Sequence, residues 1–188
     1  EILLRRILEC PESTPKEMLY LEMACLPIRF IIMGRRIMFL HYILNEDGNS
    51  LISRFFKAQV TNPMKNDWCE SVRETLKDLN ILPTFSQIKL MKKEELKNLV
   101  KAACEAEALL YLNKKKAEHS KVLHLSHTNW EMQNYMKPNT MLTEEAKFIF
   151  LLRTRMLDVR VNYKNKHKDI NCPNCKEHPD DQPHLLTC

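Results

Sequence analysis

The stretch from Lys92 to Glu118, KKEELKNLVKAACEAEALLYLNKKKAE, decides the fold class. Its apolar residues recur every three or four positions, which is the spacing of one face of an α-helix. The apolar face is predicted to consist of Leu96, Leu99, Val100, Ala103, Ala106, Leu110 and Tyr111. The sequence therefore predicts one long amphipathic helix whose apolar side packs against the rest of the protein.

Shorter helices are predicted on both sides of this one. Prolines suited to a first helical position, and Ser, Thr or Asp residues that can cap a helix, mark where they begin. The predicted helices start at or next to Thr14, Pro27, Ser50, Asp67 and Thr143. Thr14 and Glu17 have the spacing of a capping box. The period-two alternation of strands occurs only briefly, at residues 159–161, so the predicted fold class is mainly α.

Glycine is scarce, with only 2 among 188 residues. So few glycines cannot supply a Gly-rich phosphate loop, a Rossmann fingerprint or a set of tight hairpins, which excludes most nucleotide-binding enzymes and most all-β sandwiches. Charges interrupt the apolar stretches before they reach the roughly 18–20 residues of a membrane span, so no membrane partner is expected. The chain begins with Glu1 and is predicted to be a piece of a longer protein without a secretory signal peptide.

The seven cysteines fall into two groups along the chain. Four of them lie within helical patterns and are predicted to be reduced, small core residues. These are Cys10, Cys25, Cys69 and Cys104. The other three crowd the last 17 residues and indicate a separate site.

That site has the pattern C-x2-C-x8-H-x3-C, formed by Cys172, Cys175, His184 and Cys188. The first pair can present two thiolates from one tight turn, and the i,i+4 spacing of the second pair places both side chains on one face of a helical turn. Four such ligands predict a tetrahedral, structural Zn²⁺ site that leaves no open position for catalysis. A disulfide and coordination by His178 are the alternatives.

The helical turn of the second pair has its own local signals. Asp181 and Pro183 are suited to cap and start it. Leu185 and Leu186 are expected to pack the turn against the body of the protein.

A basic run precedes the cysteine-rich end. Between residues 147 and 168 the sequence carries seven basic residues against the single acidic Asp158. The basic residues are Lys147, Arg153, Arg155, Arg160, Lys164, Lys166 and Lys168. Such a local excess of positive charge favours binding of a phosphate backbone. The alternative is a solvated linker, since exposed Lys is common.

The chain resembles the C-terminal region of non-LTR retrotransposon polyproteins over nearly its whole length. The CxxC pair followed by DDQPHLLTC (residues 180–188) is similar to the CCHC knuckle of that family. The run LLRTRML (151–157) resembles the segment that leads into the knuckle. The stretches STPKEMLYLE (13–22), LPIR (26–29) and RRIMFLHYIL (35–44) are similar to the region just after the reverse transcriptase palm.

The resemblance implies a C-terminal part of an RNA-directed DNA polymerase, divided into four segments. They are a thumb-like helical segment (1–62), a helical linker (63–141), a helix with a basic extension (142–168) and a CCHC zinc knuckle (169–188). The implied partners are RNA and DNA, as template–primer or target site, together with the rest of the parent polyprotein. The implied location is the nucleus.

The polymerase centre itself is not found in this sequence. No Tyr-x-Asp-Asp motif occurs, and Asp180-Asp181 falls inside the predicted zinc loop. No set of carboxylates that could hold two Mg²⁺ ions is evident, so Mg²⁺ is expected only in the missing polymerase domain and no catalytic residue is assigned.

The resemblance also implies that Arg29, Arg35 and Arg36 contact the phosphates of a template–primer duplex. The residues alone leave open that they form a solvent face or pair with Glu22 or Glu46. A function from a different class is a helical, zinc-containing protein-interaction module with no nucleic-acid role.

Overall fold

The computed structural model describes residues 2–163, 166, 168–185, 187 and 188. This part of the chain is mainly α-helical, which confirms the predicted fold class. Its α-helices are α1 (Ile2–Leu8), α2 (Lys16–Met23), α3 (Ile28–Asn45), α4 (Leu51–Thr61), α5 (Trp68–Asp78), α6 (Phe85–Leu90), α7 (Lys93–Lys116), α8 (Thr143–Arg153) and α9 (Gln182–Leu185). Short 3₁₀ turns lie at Ser120–Val122, Asn134–Met136 and Arg160–Tyr163. Within the described residues, none of the helices has both the length and the apolar character needed to cross a bilayer.

The chain forms two compact units. Unit 1 combines residues 1–25 with residues 112–188, and unit 2 comprises residues 26–111. Helix α7 contributes residues to both units, because the boundary falls inside it. The four-segment division drawn from the family resemblance stays a prediction.

Unit 2 is built around α3, which packs against α4, α5 and α6. Residues of α3 that repeat at helical spacing are fully or almost fully buried: Phe30, Met33, Ile37, Leu40 and Ile43. Helix α3 also approaches α7 closely at Gly34. A Cβ atom at this position would lie 3.3 Å from both the Cys104 sulfur and Val100 Cγ1.

The long helix is present, but its buried face differs from the predicted one. The buried apolar residues of α7 are Leu96, Val100, Cys104, Ala108 and Leu112. Leu99, Ala106, Leu110 and Tyr111, which were predicted to be buried, are exposed. The buried face runs at a regular spacing of four and passes through Cys104, whose thiol donates to the carbonyl oxygen of Phe30 at 3.4 Å. The prediction was wrong because adjacent faces of this helix are both apolar, and helical periodicity alone does not decide which of them is buried.

Two of the predicted helix caps are confirmed. Ser50 Oγ accepts from the Ser53 amide at 3.3 Å, and Asp67 Oδ1 accepts from the Glu70 amide at 2.6 Å. The predicted capping box of Thr14 and Glu17 is not formed, because α2 begins after Pro15 without a side-chain cap. Glu17 instead is buried and faces His119 Nε2 at 3.4 Å.

A hydrophobic core cluster in unit 1 draws on segments from both ends of the chain. It contains Leu8 of α1, Met18 and Leu19 of α2, Val122, and Phe150 of α8, all of them buried. Burial of this many large apolar side chains is the main favourable contribution to folding of the unit.

Next to this core lies a fully buried carboxylate, Glu22, with 0% of its surface exposed. Arg153 donates to both carboxylate oxygens, from Nε and Nη2, at 3.1 Å each. Tyr135 donates its hydroxyl proton to Oε2, and His127 Nε2 lies 2.9 Å from Oε1. Every lone-pair direction of the carboxylate therefore meets a hydrogen-bond donor, which is the condition for burying such a charge.

A buried lysine fixes the protonation pattern of this network. Lys116 Nζ donates to the carbonyl oxygen of Leu125 at 2.6 Å and lies 3.3 Å from His127 Nδ1. An ammonium group can only donate, so Nδ1 accepts and Nε2 carries the proton that is donated to Glu22. Burial lowers the pKa of Lys116, and the Glu22 charge partly offsets this.

The pKa of Glu22 is lowered even though burial acts to raise it. The hydrogen bonds from His127, Arg153 and Tyr135 outweigh the cost of desolvation. Because the folded-state pKa lies below the unfolded value of about 4.3, the stabilisation is present above that pH and is lost as the pH falls through the folded-state pKa.

Replacing Glu22 with Gln should destabilise the protein by about 3–5 kcal/mol at neutral pH, because Arg153 and Lys116 then lack their buried counter-charge. Urea unfolding followed by circular dichroism measures this, with Glu12→Gln at an exposed position as the matched control. The difference between wild type and Glu22→Gln should shrink below pH of about 4. Equal effects of the two substitutions would contradict this role.

Candidate metal centre

Four side chains at the C-terminal end converge on one point. The sulfur atoms of Cys172, Cys175 and Cys188 and a ring nitrogen of His184 all lie within 4.8 Å of one another. Cys172 and Cys188 Sγ are 3.9 Å apart, and Cys175 Sγ lies 3.2 Å from His184 Nε2. A tetrahedral zinc ion bound at normal ligand distances would give edges of about 3.6–3.8 Å. The cluster could therefore bind a metal ion such as zinc.

The first two ligands are held by a tight backbone turn. The amide of Lys176 donates to the carbonyl oxygen of Cys172 at 2.9 Å, and Lys176 adopts a left-handed φ of 61°. The turn directs the amides of Cys175 and Asn174 at the Cys172 sulfur, and these hydrogen bonds hold the pKa of that thiol at about 7. The backbone after Cys175 lowers the pKa of the Cys175 thiol in the same way. Both sulfurs are thus prepared to bind a cation as thiolates.

The second pair comes from the short helix α9, which holds His184, and from the residues that follow it, which hold Cys188. Asp181 Oδ1 accepts from the His184 amide at 2.9 Å, which confirms Asp181 as the cap of this turn. The Cys188 amide donates to the His184 carbonyl oxygen at 2.8 Å, so the two ligands are one helical turn apart. Asn174 donates to Cys188 Sγ at 3.6 Å and lowers the pKa of that thiol, but desolvation and the neighbouring sulfurs outweigh this and raise it.

Hydrogen bonds attach the metal-binding segment to the rest of unit 1. Gln182 Nε2 donates to the carbonyl oxygen of Leu152, at the end of α8, at 2.8 Å. Asp180 accepts from the Arg160 amide at 2.9 Å through its carboxylate and from the Val161 amide at 3.1 Å through its carbonyl oxygen. The expected apolar packing contributes less than predicted, because Leu185 is half exposed. Leu186 lies outside the described residues.

The alternatives to the four-residue set are not favoured by the geometry. His178 is exposed and does not belong to the group of converging donor atoms, although its ring centroid lies 5.4 Å from that of His184. All seven cysteines are free thiols, so no disulfide competes for these sulfurs.

Two members of the predicted basic run pair with carboxylates of unit 1. Arg153 is bound to the buried Glu22 and is therefore engaged within unit 1. Lys147 pairs with Glu9 at 2.6 Å and with Glu144 at 3.0 Å. These two cations help to hold the ends of the chain together within unit 1. The sequence pattern could not predict these two pairs, because Glu9 and Glu22 each lie more than 120 residues before the cation that they bind.

Arg160 is tied to the base of the metal-binding segment. Its guanidinium donates to the carbonyl oxygen of Asn171 at 3.1 Å and lies 4.0 Å from the Asp169 carboxylate. The exposed members of the run are Arg155, Lys166 and Lys168, and the described part of the chain gives them no ion pair. Lys164 lies outside the described residues.

The three arginines of α3 differ in their surroundings. Arg29 pairs with Asp78 at 3.6 Å and lies over the Tyr111 ring. Arg36 donates to Thr75 Oγ1 at 2.7 Å and to the Ser71 carbonyl oxygen at 3.2 Å, which ties α3 to α5. Arg35 is exposed and has no ion pair among the described residues. None of the three pairs with Glu22 or Glu46 in that part of the structure.

If the four ligands bind one zinc ion, His184→Asn should abolish stoichiometric zinc binding and His178→Asn should leave it intact. The two residues are close in space, but only His184 directs a ring nitrogen at the sulfurs. Metal analysis of protein purified without chelator measures the zinc content, and visible absorption after Co²⁺ substitution reports tetrahedral thiolate coordination. Loss of zinc from His178→Asn alone would overturn the assignment.

Comparison of the chain with protein-family models, with curated proteins and with solved structures gives no match. What indicates a metal centre is therefore the donor set itself. Three thiols and one imidazole converge within 4.8 Å on a framework of local hydrogen bonds.

Proposed function

We propose that this chain is the nucleic-acid-binding C-terminal part of an RNA-directed DNA polymerase from a non-LTR retrotransposon, and that it carries one structural zinc ion. The observation that carries the proposal is the convergence of Cys172, Cys175, His184 and Cys188, in the ligand order of the family that the chain resembles. Catalysis and its Mg²⁺ ions would belong to the polymerase domain, which this sequence lacks.

Zinc is the metal that this donor set favours. Thiolate and imidazole ligands are too soft for Mg²⁺ or Ca²⁺, which prefer oxygen. A tetrahedral set of three sulfurs and one nitrogen is typical of structural zinc, and four protein ligands leave no position for a reactive water. The ion would therefore shape the segment rather than act on a substrate.

The nucleic-acid role is supported by the cations next to the metal-binding segment. Arg155, Lys166 and Lys168 are exposed, and Lys176 is exposed within the knuckle turn. Exposed cations without carboxylate partners bind phosphates by releasing condensed counterions, which makes the affinity strongly dependent on salt. In unit 2, Arg35 is likewise exposed and has no ion pair within the part of the chain that the structure describes.

In the proposed role the protein holds RNA and DNA, as template–primer or target site, for a polymerase that acts elsewhere in the same polyprotein. A nuclear location follows from the chromosomal target of such elements. The alternative, a helical zinc-containing protein-interaction module, differs in one measurable respect, because it would not bind nucleic acid at low salt.

Replacing Arg155, Lys166 and Lys168 together with Gln should weaken binding of a primer–template duplex and reduce its salt dependence. Each lost phosphate contact should lower the slope of log affinity against log salt by about 0.7–0.9. Fluorescence anisotropy across a salt titration measures both quantities. The matched control replaces Lys92, Lys93 and Lys114, three exposed lysines outside the basic run. If the triple variant of Arg155, Lys166 and Lys168 had the same slope of log affinity against log salt as the wild type, this part of the proposal would be contradicted.

A second comparison separates binding from stability within α3. Arg35→Gln should reduce the salt slope without changing the unfolding free energy, because Arg35 is exposed and unpaired among the described residues. Arg36→Gln should instead cost about 1–3 kcal/mol of stability, because it removes hydrogen bonds to α5. Urea unfolding and the same anisotropy titration give both readouts, and the reverse outcome would contradict these assignments.

A further inference from the structure

The four metal ligands come from two short segments, and one side chain reaches from the first segment to the second. Cys172 and Cys175 lie in the first turn, whereas His184 lies on α9 and Cys188 follows it. Asn174 belongs to the first turn, yet its Nδ2 donates to Cys188 Sγ at 3.6 Å. This distance is within hydrogen-bonding range because sulfur is a larger acceptor atom than oxygen. The side chain of Asn174 therefore links the two halves of the metal centre.

Asn174 also contacts a second sulfur through its backbone. Its amide, together with that of Cys175, is directed at Cys172 Sγ. The sulfur atoms of Cys172 and Cys188 are 3.9 Å apart, so one residue supplies N–H groups to two neighbouring donor atoms of the site. Two thiolates at this distance repel each other, and N–H groups directed at both sulfurs reduce that repulsion.

Cys188 is the ligand that depends most on such a donor. It lies three residues beyond Leu185, the last residue of α9. Its backbone is held by the hydrogen bond from its amide to the His184 carbonyl oxygen at 2.8 Å, which leaves the side-chain rotamer undetermined. Among the residues that the structure describes, Asn174 is the donor to the Cys188 sulfur that is not itself a metal ligand. This hydrogen bond therefore orients the sulfur.

The backbone of the turn gives no separate reason for an asparagine at position 174. Asparagine is common where φ is left-handed. In this turn the left-handed residue is Lys176, with φ of 61°, and Asn174 is not among the residues with positive φ. Asn174 is also exposed, so its side chain does not fill a core. The hydrogen bond to sulfur is the interaction that distinguishes Asn174 from another exposed residue.

We propose that Asn174 is a positioning residue of the metal centre, which orients the Cys188 thiolate toward the ion that the other three ligands also bind. This inference rests on the structural zinc of the proposed function and adds to it a residue outside the ligand set. Hydrogen-bond partners of metal ligands commonly change metal affinity by roughly 10–100-fold, because they fix the orientation and the electron density of the ligand atom.

Asn174→Ala should weaken zinc binding by the full chain about tenfold, because the Cys188 sulfur then lacks its donor. Asn174→Asp should weaken it further, because a carboxylate of the same size accepts instead of donating and adds negative charge beside the thiolates. Competition with a chromophoric chelator measures the dissociation constants. The matched control is Asn171→Ala, since the hydrogen bonds that the structure gives Asn171 use its backbone amide and carbonyl oxygen.

The spectrum of bound Co²⁺ distinguishes positioning of the sulfur from general loosening of the turn. A hydrogen bond lowers the energy of the sulfur lone pairs, so its loss in Asn174→Ala should move the sulfur-to-metal charge-transfer band to longer wavelength. The visible bands of tetrahedral coordination should persist, because all four ligands remain. Asn171→Ala should leave both sets of bands at the wild-type positions.

The outcomes separate this inference from the proposed function. If the wild-type chain binds one zinc ion and the Asn174 variants bind it as tightly as Asn171→Ala, the role of Asn174 is overturned and the zinc site stands. If the wild-type chain binds no stoichiometric zinc, both are overturned. Weaker binding without a shift of the charge-transfer band, or equal weakening by Asn171→Ala, would show an effect on folding of the turn and would also overturn the positioning role.

Discussion

The carboxylate of Glu22 is the charge around which unit 1 is organised. Its four hydrogen-bond donors come from parts of the chain that are more than 100 residues away from it in sequence. Desolvating such a group is costly, and removal of any one donor would leave part of that cost uncompensated. The native arrangement is therefore the one in which α2, the segment around His127 and Tyr135, and the end of α8 come together.

The same constraint extends to the metal-binding segment. Arg153, which binds Glu22, is the last residue of α8, and the neighbouring Leu152 carbonyl oxygen accepts the hydrogen bond from Gln182. The segment itself has little apolar core, since its only described helix has four residues and Leu185 is half exposed. A bound ion would therefore supply much of the free energy that holds these 17 residues in one conformation.

Features that depend on neighbouring residues could be predicted from the sequence. The caps at Ser50 and Asp67, the Asp181 turn and the four metal ligands all depend on residues within a few positions of one another. Their hydrogen bonds or ligand spacings are set locally, so a single sequence contains the necessary information.

Features that depend on distant partners could not be predicted in this way. From the basic run we predicted that Arg153 contacts a phosphate. In the structure its partner is the carboxylate of Glu22, 131 residues earlier in the chain. The buried face of α7 was misplaced for a related reason. Helical periodicity identifies an amphipathic helix, but the shape of the partner surface decides which of two adjacent faces is buried.

Gly34 shows how a single position can restrict the arrangement of two helices. It is the only glycine in α3, and the next glycine in the chain is Gly48. Because α7 brings Cys104 and Val100 to 3.3 Å from the missing Cβ, sliding α3 by one residue along α7 would place a side chain in that contact. The close contact at Gly34 therefore favours the observed register of the two helices and, with it, the rotation of α3 about its own axis.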